Sequence, residues 1–181
     1  MDDVTRAIMN LSARIEDVSR RQASMILSGP VAAIDGNRVR LQLGPADEAT
    51  GKPFLSPWVQ LQDAAGATGT HFPVKIGDPM RLLSPNGEIG SASLAVRDSH
   101  TTDAPNPTEQ NTDLVIAYGG GSIVMRDGEV ILSGGGASVR LAGGDIDLIS
   151  GNLRHNDRNV GDSHKHGGVI PGSSNTKEPI S

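Results

Sequence analysis

Residues 114–150 decide the fold, and they read LVIAYGGGSIVMRDGEVILSGGGASVRLAGGDIDLIS. Apolar residues two positions apart recur along this stretch, and successive pairs begin 9, 7, 9 and 7 residues apart. Glycine-containing turns separate the pairs. Each unit is predicted to be a short strand with one apolar face, and neighbouring units must stack to bury that face. The pairs are Leu114/Ile116, Ile123/Met125, Val130/Leu132, Val139/Leu141 and Ile146/Leu148.

Two arrangements of these strands give the same pattern. An antiparallel meander within one chain is the simpler one, but short strands with two inward aliphatic residues each form a sheet too poor to stand alone. Three chains wrapped around a common axis would bring the aliphatic residues into one narrow core. The pattern therefore favours an intertwined trimeric β-prism or β-helix over residues 113–160, with the meander as the alternative.

The composition agrees with a thin or oligomeric structure. Aromatic residues make up only 2% of the chain, whereas glycine contributes 23 residues. Large aromatic side chains normally provide much of the buried area of a thick core. The chain also lacks cysteine, which excludes disulfides, thiolate metal sites and a thiol nucleophile and fits synthesis in a reducing compartment.

Charge and hydropathy exclude further classes. The net charge is -5, and the pair Arg20-Arg21 is the longest basic run, so nucleic-acid binding is not predicted. The N-terminus MDDVTRAIMN is charged and does not resemble a secretory signal. No apolar stretch approaches the roughly 20 residues that span a bilayer.

Residues 1–24 are predicted to form a helix with an apolar seam. Val4, Ile8, Leu11, Ile15 and Val18 follow alternating steps of four and three, which is the a/d pattern of a coiled coil with isoleucine at the a positions. Met25 continues the pattern after an interruption at Gln22. A short homo-oligomeric coiled coil and an amphipathic surface helix both remain possible, and the number of strands stays open.

Residues 25–98 change to short β-like runs, among them residues 25–27, 31–34, 39–43, 58–61, 80–83 and 92–96. Turn signals such as Asp35-Gly36-Asn37 separate them. About five or six short strands in roughly 75 residues predict a small barrel such as an OB-fold. Residues 45–57 are predicted to be a surface loop, and residues 99–112 an extended linker at a domain boundary.

The C-terminal residues 161–181 contain the candidate metal ligands, His164 and His166, within the sequence DSHKHGG at residues 162–168. In an extended segment, residues two apart lie on one face. One chain supplies two imidazoles, an incomplete shell, whereas a three-fold axis supplies six. An all-imidazole site of that kind suits Fe(II), Ni(II) or Co(II) better than Zn(II), whose structural sites are tetrahedral.

The remaining polar residues are predicted to carry no chemistry. His71, His100 and His155 are interpreted as surface residues, and Asp145 and Asp147 as a solvated strand face. The glycines at residues 119–121 lack the lysine and the following helix of a phosphate-binding loop, and are interpreted as turns.

The order of these parts resembles the central spike of contractile-tailed bacteriophages, the baseplate assembly protein V family. The most specific match is DSHKHGGVIPGSSNT at residues 162–176, whereas the other regions match in pattern only. The polar residues 154–158 depart from the family, where a cleaner last strand is expected.

The resemblance implies an all-β protein: an OB-fold domain, then a trimeric β-helix needle, then a metal-binding apex. It implies that His164 and His166 of three chains ligate one iron ion, and that the homotrimer caps the tail tube, contacts hub proteins and pierces the host outer membrane on sheath contraction. The spike would be assembled in the host cytoplasm and reside at the tail tip of the virion. It would act on no nucleic acid and no small-molecule substrate.

Three alternatives stay open at this point. The same mechanical role occurs in tail-derived bacteriocins and secretion-system tips. A metalloenzyme would use His164, His166 and a carboxylate such as Asp162, but needs an open coordination position. An OB-fold nucleic-acid binder is disfavoured by the acidic charge and the few aromatic residues.

Overall fold

A computed structural model describes residues 2–63, 66–165, 167, 168 and 172. The chain divides into two compact units, Met1–Asn106 and Pro107–Ser181. The division falls within residues 99–112, which contain neither helix nor strand.

The first unit begins with the predicted helix, α1 (Asp3–Ser24). Asp3 lies in its first turn and Arg21 in its last, where each charge complements the helix dipole. None of its residues is buried, and the apolar seam is open to solvent, with Ile8 62% and Ile15 58% exposed. Within one chain, the seam therefore contacts no core.

Six strands follow: β1 (Ile26–Asp35), β2 (Arg38–Ala46), β3 (Pro53–Leu55), β4 (Val59–Leu61), β5 (Pro79–Leu83) and β6 (Leu94–Arg97). The first half of β1 pairs with β5 and its second half with β2, β2 pairs with β4, and β6 lies between β4 and β5. These pairings close a five-stranded barrel in which only β4 and β6 run parallel. The predicted small barrel is confirmed, and its connectivity is compatible with an OB-fold.

Alternation along the strands fills the barrel. Inward positions are apolar and outward positions such as Arg38 and Arg81 are polar, which is the period-two pattern of a half-buried sheet, whereas Ile26 and Ile34 of β1 are exposed. The buried core residues are Val31, Val39, Leu41, Val59, Met80, Leu82 and Ala95.

The prediction of a surface loop at residues 45–57 was partly wrong. Residues 53–55 form β3, which pairs with the second half of β2 through Gln42 and Leu55. The buried hydroxyl of Ser56 accepts a hydrogen bond from the N–H of Leu41 at 2.9 Å, which ties this segment to the barrel. The two runs predicted at residues 25–27 and 31–34 are one strand, because β1 continues from one partner to the next.

The second unit contains the repeat as β7 (Leu114–Tyr118), β8 (Gly121–Arg126), β9 (Glu129–Gly134), β10 (Ala137–Ala142) and β11 (Asp145–Ile149). Each strand pairs antiparallel with the next. Two residues form each turn, and three of the four turns are Gly-Gly with both φ angles positive, a conformation that favours glycine. The glycine turns are therefore confirmed.

Within one chain, the repeat is thus the meander, and an intertwined β-helix is not shown. The register places every predicted apolar pair directly opposite the next. One row joins Ile116, Ile123, Leu132, Val139 and Leu148, and the other joins Leu114, Met125, Val130, Leu141 and Ile146. We call these ten side chains the apolar sheet face.

The polar residues after the repeat form a small hairpin where a cleaner last strand is expected from the resemblance. Strand β12 (Arg154–His155) pairs with β13 (Arg158–Asn159). Asn156 and Asp157 form its turn with φ angles of 47° and 62°, and asparagine and aspartate tolerate this left-handed region better than most residues do.

Candidate metal centre

His164 lies in a short turn directly after the hairpin. The N–H of Val160 donates to the carbonyl of Leu153 at 2.7 Å, which closes the hairpin. The chain then turns, and the N–H of His164 donates to the carbonyl of Gly161 at 3.1 Å. This hydrogen bond fixes the backbone position of His164, from which its side chain extends.

The imidazole of His164 bonds to the same carbonyl. Its Nδ1 lies 2.5 Å from the Gly161 oxygen. A carbonyl oxygen only accepts hydrogen bonds, so Nδ1 carries the proton, and the lone pair of the neutral ring is on Nε2. This arrangement is common for metal-binding histidines, whose second nitrogen donates to a carbonyl or carboxylate.

The second candidate ligand, His166, lies outside the described residues. Asp162 and Lys165 are described and exposed. In the described part of the chain, no three His, Cys, Asp or Glu side chains come together as a metal site. A complete shell therefore requires more than the described groups of one chain, although imidazole nitrogen suits iron(II).

The other histidines belong to other segments of the chain. His155 is exposed on β12. His71 places its Nδ1 3.2 Å from Asp63 Oδ2, and Asp63 also accepts the N–H of Phe72, so this pair belongs to the loop before β5. His100 is exposed beyond β6.

The other side of the second sheet, where Val115, Val124 and Ile131 form a row, also carries an ion-pair ladder that the sequence reasoning missed. We call this side the polar side. Arg126 lies 3.1 Å from Glu129 and 3.9 Å from Asp113. Arg140 bonds to Glu129 and to Asp147, the latter at 2.9 Å. Glu129 and Asp147 hold the pKa of Arg140 above its ordinary value. Asp145 and Asp147 are both exposed, as predicted, and Asp147 in addition belongs to this ladder.

The first unit has cation–π contacts at two rings, and at Phe72 the guanidinium of Arg97 lies 5.9 Å from the ring centre. The other ring, Trp58, also bears on nucleic-acid binding. The guanidinium groups of Arg38 and Arg40 lie 5.9 and 5.5 Å from the ring centre of Trp58. Both stack on the only tryptophan of the chain. Bases bind to such domains by stacking on open aromatic faces, so this covered ring is a poor platform.

No known protein family matches the chain, and no curated protein is significantly similar to it. Among the described residues, no helix is both long and apolar enough to span a membrane. What the protein does must therefore be inferred from its own residues and their arrangement.

Proposed function

We propose that this chain is the subunit of a homotrimeric central spike at the baseplate of a contractile phage tail. The spike would pierce the host outer membrane mechanically and catalyse no reaction. The observation that carries the proposal is the apolar sheet face, which one chain leaves uncovered.

Seven of the ten side chains on that face are exposed, from Leu141 at 41% to Ile146 at 68%. By contrast, every fully buried hydrophobic residue of the described chain lies in the barrel. Burying a fully exposed aliphatic side chain is worth about 1.5–3 kcal/mol. Covering seven half-exposed ones would therefore release on the order of 7 kcal/mol per chain before the entropic cost of association.

Three copies cover this face more naturally than one partner does. Each sheet has free edges at β7 and β11, and edges of this kind invite pairing with another chain. A head-to-tail contact of β11 with β7 of the next chain closes a ring under three-fold symmetry. The apolar faces would then meet on the axis as the core of a β-prism, while the ion-pair ladder would face water.

The open seam of α1 supports association of several chains at the N-terminal end as well. Its a and d residues are all exposed in one chain, including Val4, Leu11 and Val18. A coiled coil buries such a seam between parallel helices. Two separate parts of the chain thus lack a partner, and one oligomer would cover both.

In that assembly, His164 and His166 of each chain would together hold one iron(II) ion at the apex. The ion would cross-link the three chains, so that its binding energy becomes folding energy. A shell filled by six imidazoles leaves no position for a substrate. This is why we favour a structural centre over a metalloenzyme that would use Asp162 as well.

A tail-derived bacteriocin or a secretion-system tip would use the same mechanics. The genes encoded next to this one distinguish these cases, since a virion requires capsid and packaging genes. The contacts with tail tube and hub proteins belong to the proposal in each case.

Sedimentation equilibrium combined with elemental analysis tests the proposal. We expect a mass of three times 18.8 kDa and one metal ion per three chains. A monomer at micromolar concentration would refute the spike. One metal ion per chain would favour the metalloenzyme instead.

A further inference from the structure

The side-chain amide of Asn159 holds the turn that carries His164. Its Oδ1 accepts the N–H of Gly161 at 3.0 Å, and its Nδ2 donates to the hydroxyl of Ser163 at 2.8 Å. The hairpin fixes Asn159 itself, because β13 pairs it with Arg154. One amide therefore connects the end of the hairpin to both sides of the turn.

This turn also fixes the orientation of the His164 imidazole. Gly161 receives the Asn159 bond on its N–H, and its carbonyl accepts both the N–H and the Nδ1–H of His164. The N–H of Gly161 belongs to the peptide unit before its Cα atom and the carbonyl to the unit after it, so Asn159 positions this carbonyl by holding the turn at both Gly161 and Ser163. The position of the carbonyl then decides which nitrogen of His164 carries the proton.

We infer that Asn159 is a positioning residue for the apical metal, which acts by fixing the Gly161 carbonyl so that His164 presents its Nε2 lone pair. The inference rests on the proposed metal site. Partners in the outer shell of metal-binding histidines typically contribute 10–100-fold to metal affinity.

The space around Gly161 agrees with this role. A Cβ atom built on Gly161 would lie 3.2 Å from Asn159 Oδ1 and 3.3 Å from the backbone nitrogen of Leu153. A side chain at residue 161 would thus press on the amide and on the hairpin. The turn is tight on the side that faces Asn159.

Two measurements on the full-length protein test the inference. Metal-free wild type, Asn159→Ala and Asn159→Asp are titrated with Co(II) against a competing chelator. In parallel, NMR of ¹⁵N-histidine-labelled metal-free protein reports the tautomer of His164, assigned by its loss in His164→Ala. Asn152→Ala serves as the matched control, because Asn152 is an exposed asparagine of the same segment.

We expect Asn159→Ala to bind Co(II) about 10–100-fold more weakly and to mix the two tautomers. Asn159→Asp retains an acceptor for the Gly161 N–H and should keep more of the affinity, and Asn152→Ala should match wild type. Wild-type affinity and an unchanged tautomer in Asn159→Ala would overturn the inference.

If Asn159→Ala fails to assemble, the same two measurements are made on Ser163→Ala, which removes one of the two Asn159 contacts. An unchanged affinity and tautomer in Ser163→Ala would then overturn the inference. If wild type binds no Co(II), the proposed metal site fails, whereas the tautomer of the metal-free protein still tests whether Asn159 orients the ring.

Discussion

Asp98 is an acidic side chain whose negative charge contributes to the stability of the barrel. It follows β6 and accepts the N–H of Ser99 at 2.8 Å, while Arg81 on β5 donates to it at 2.6 Å. The Ser99 N–H lowers the pKa of Asp98 from its ordinary value of 3.8, and bonds from Ser28 and Arg81 lower it further. The ionised form is thus the one that the fold stabilises.

Hydrogen bonds to charged groups contribute about 1.5–3 kcal/mol, and solvent weakens this one because the Arg81 side chain is 45% exposed. We therefore expect Asp98→Asn to destabilise the barrel at pH 7 by about 1–2 kcal/mol. A lowered pKa gives stability that is full above pH 3.8 and is lost as the pH falls through the folded-state value. Denaturation of wild type and variant is followed by Trp58 fluorescence. The difference between their denaturation midpoints should disappear in strong acid. A difference between the midpoints that does not change with pH would show that the negative charge of Asp98 does not stabilise the fold.

The candidate ligands give the second residue-scale prediction. His164→Ala combined with His166→Ala should abolish bound metal, because no imidazole remains at the apex. The trimer should persist, since the apolar sheet face and α1 together would hold it without the metal. Elemental analysis and sedimentation check both parts, and dissociation of the double variant would show that the metal carries the assembly.

Sequence reasoning could find His164 but not Asn159, for a physical reason. Two histidines at a spacing of two form a local pattern that can be read without a structure. The role of Asn159 depends on the hairpin at residues 154–159, whose turn places the amide against Gly161 and Ser163. This segment is polar and shows no apolar periodicity, so the sequence alone does not predict the hairpin.

At the scale of elements, periodicity predicted α1 and the strands of the repeat well. Both have apolar residues at a regular spacing over several turns or strands. Strand β3 was missed because Phe54, 59% exposed, buries little and the strand has only three residues. The change of pairing partner along β1, from β5 to β2, could not be predicted either. Which strands pair depends on residues far apart in the sequence and not on the local pattern.

The apolar seam of α1 yields a prediction that separates a coiled coil from a lone helix. Alanine has the highest intrinsic helix propensity, so Ile8→Ala with Ile15→Ala should leave a lone helix as stable as before or more so. In a coiled coil, each truncation of a buried isoleucine costs about 2–5 kcal/mol. We expect the double variant to lose helicity at 222 nm at a lower temperature than wild type.

The control for this experiment is Arg6→Ala with Arg20→Ala on the outer face of α1. These side chains are 64% and 62% exposed and form surface ion pairs with Asp3 and Asp17, and ion pairs of this kind contribute little to stability. The control should melt close to wild type. Equal melting of both double variants would favour the surface-helix interpretation.

For the whole molecule, the sequence could predict that the chain has two units but not how copies assemble. Both a meander and a trimer place alternate residues of the repeat on one face, and the trimer was favoured only because such short strands form a poor sheet alone. The structure shows the meander within one chain and leaves the apolar sheet face open. The number of chains is decided by contacts outside the single chain.

The apolar sheet face can be tested with two adjacent residues on opposite sides of β9. Leu132 lies on this face and is 44% exposed, whereas Ser133 lies on the polar side opposite Ser122 and Ser138. Leu132→Asp would place three carboxylates in the core of the trimer, and burying an unpaired charge costs several kcal/mol. Ser133→Asp places the same group on the other side of the strand, on the side of the ion-pair ladder and away from that core.

We expect Leu132→Asp to sediment as a monomer at about 10 µM, a concentration at which each 1.4 kcal/mol lost weakens association tenfold, and Ser133→Asp to remain a trimer. Trp58 lies in the barrel, so its fluorescence shows whether the first unit of each variant is folded, independently of the second. If Leu132→Asp with a folded barrel sedimented as the same trimer as Ser133→Asp, the sheet face would not be the interface. The chains would then have to associate through α1 or the barrel, and the β-prism would be excluded.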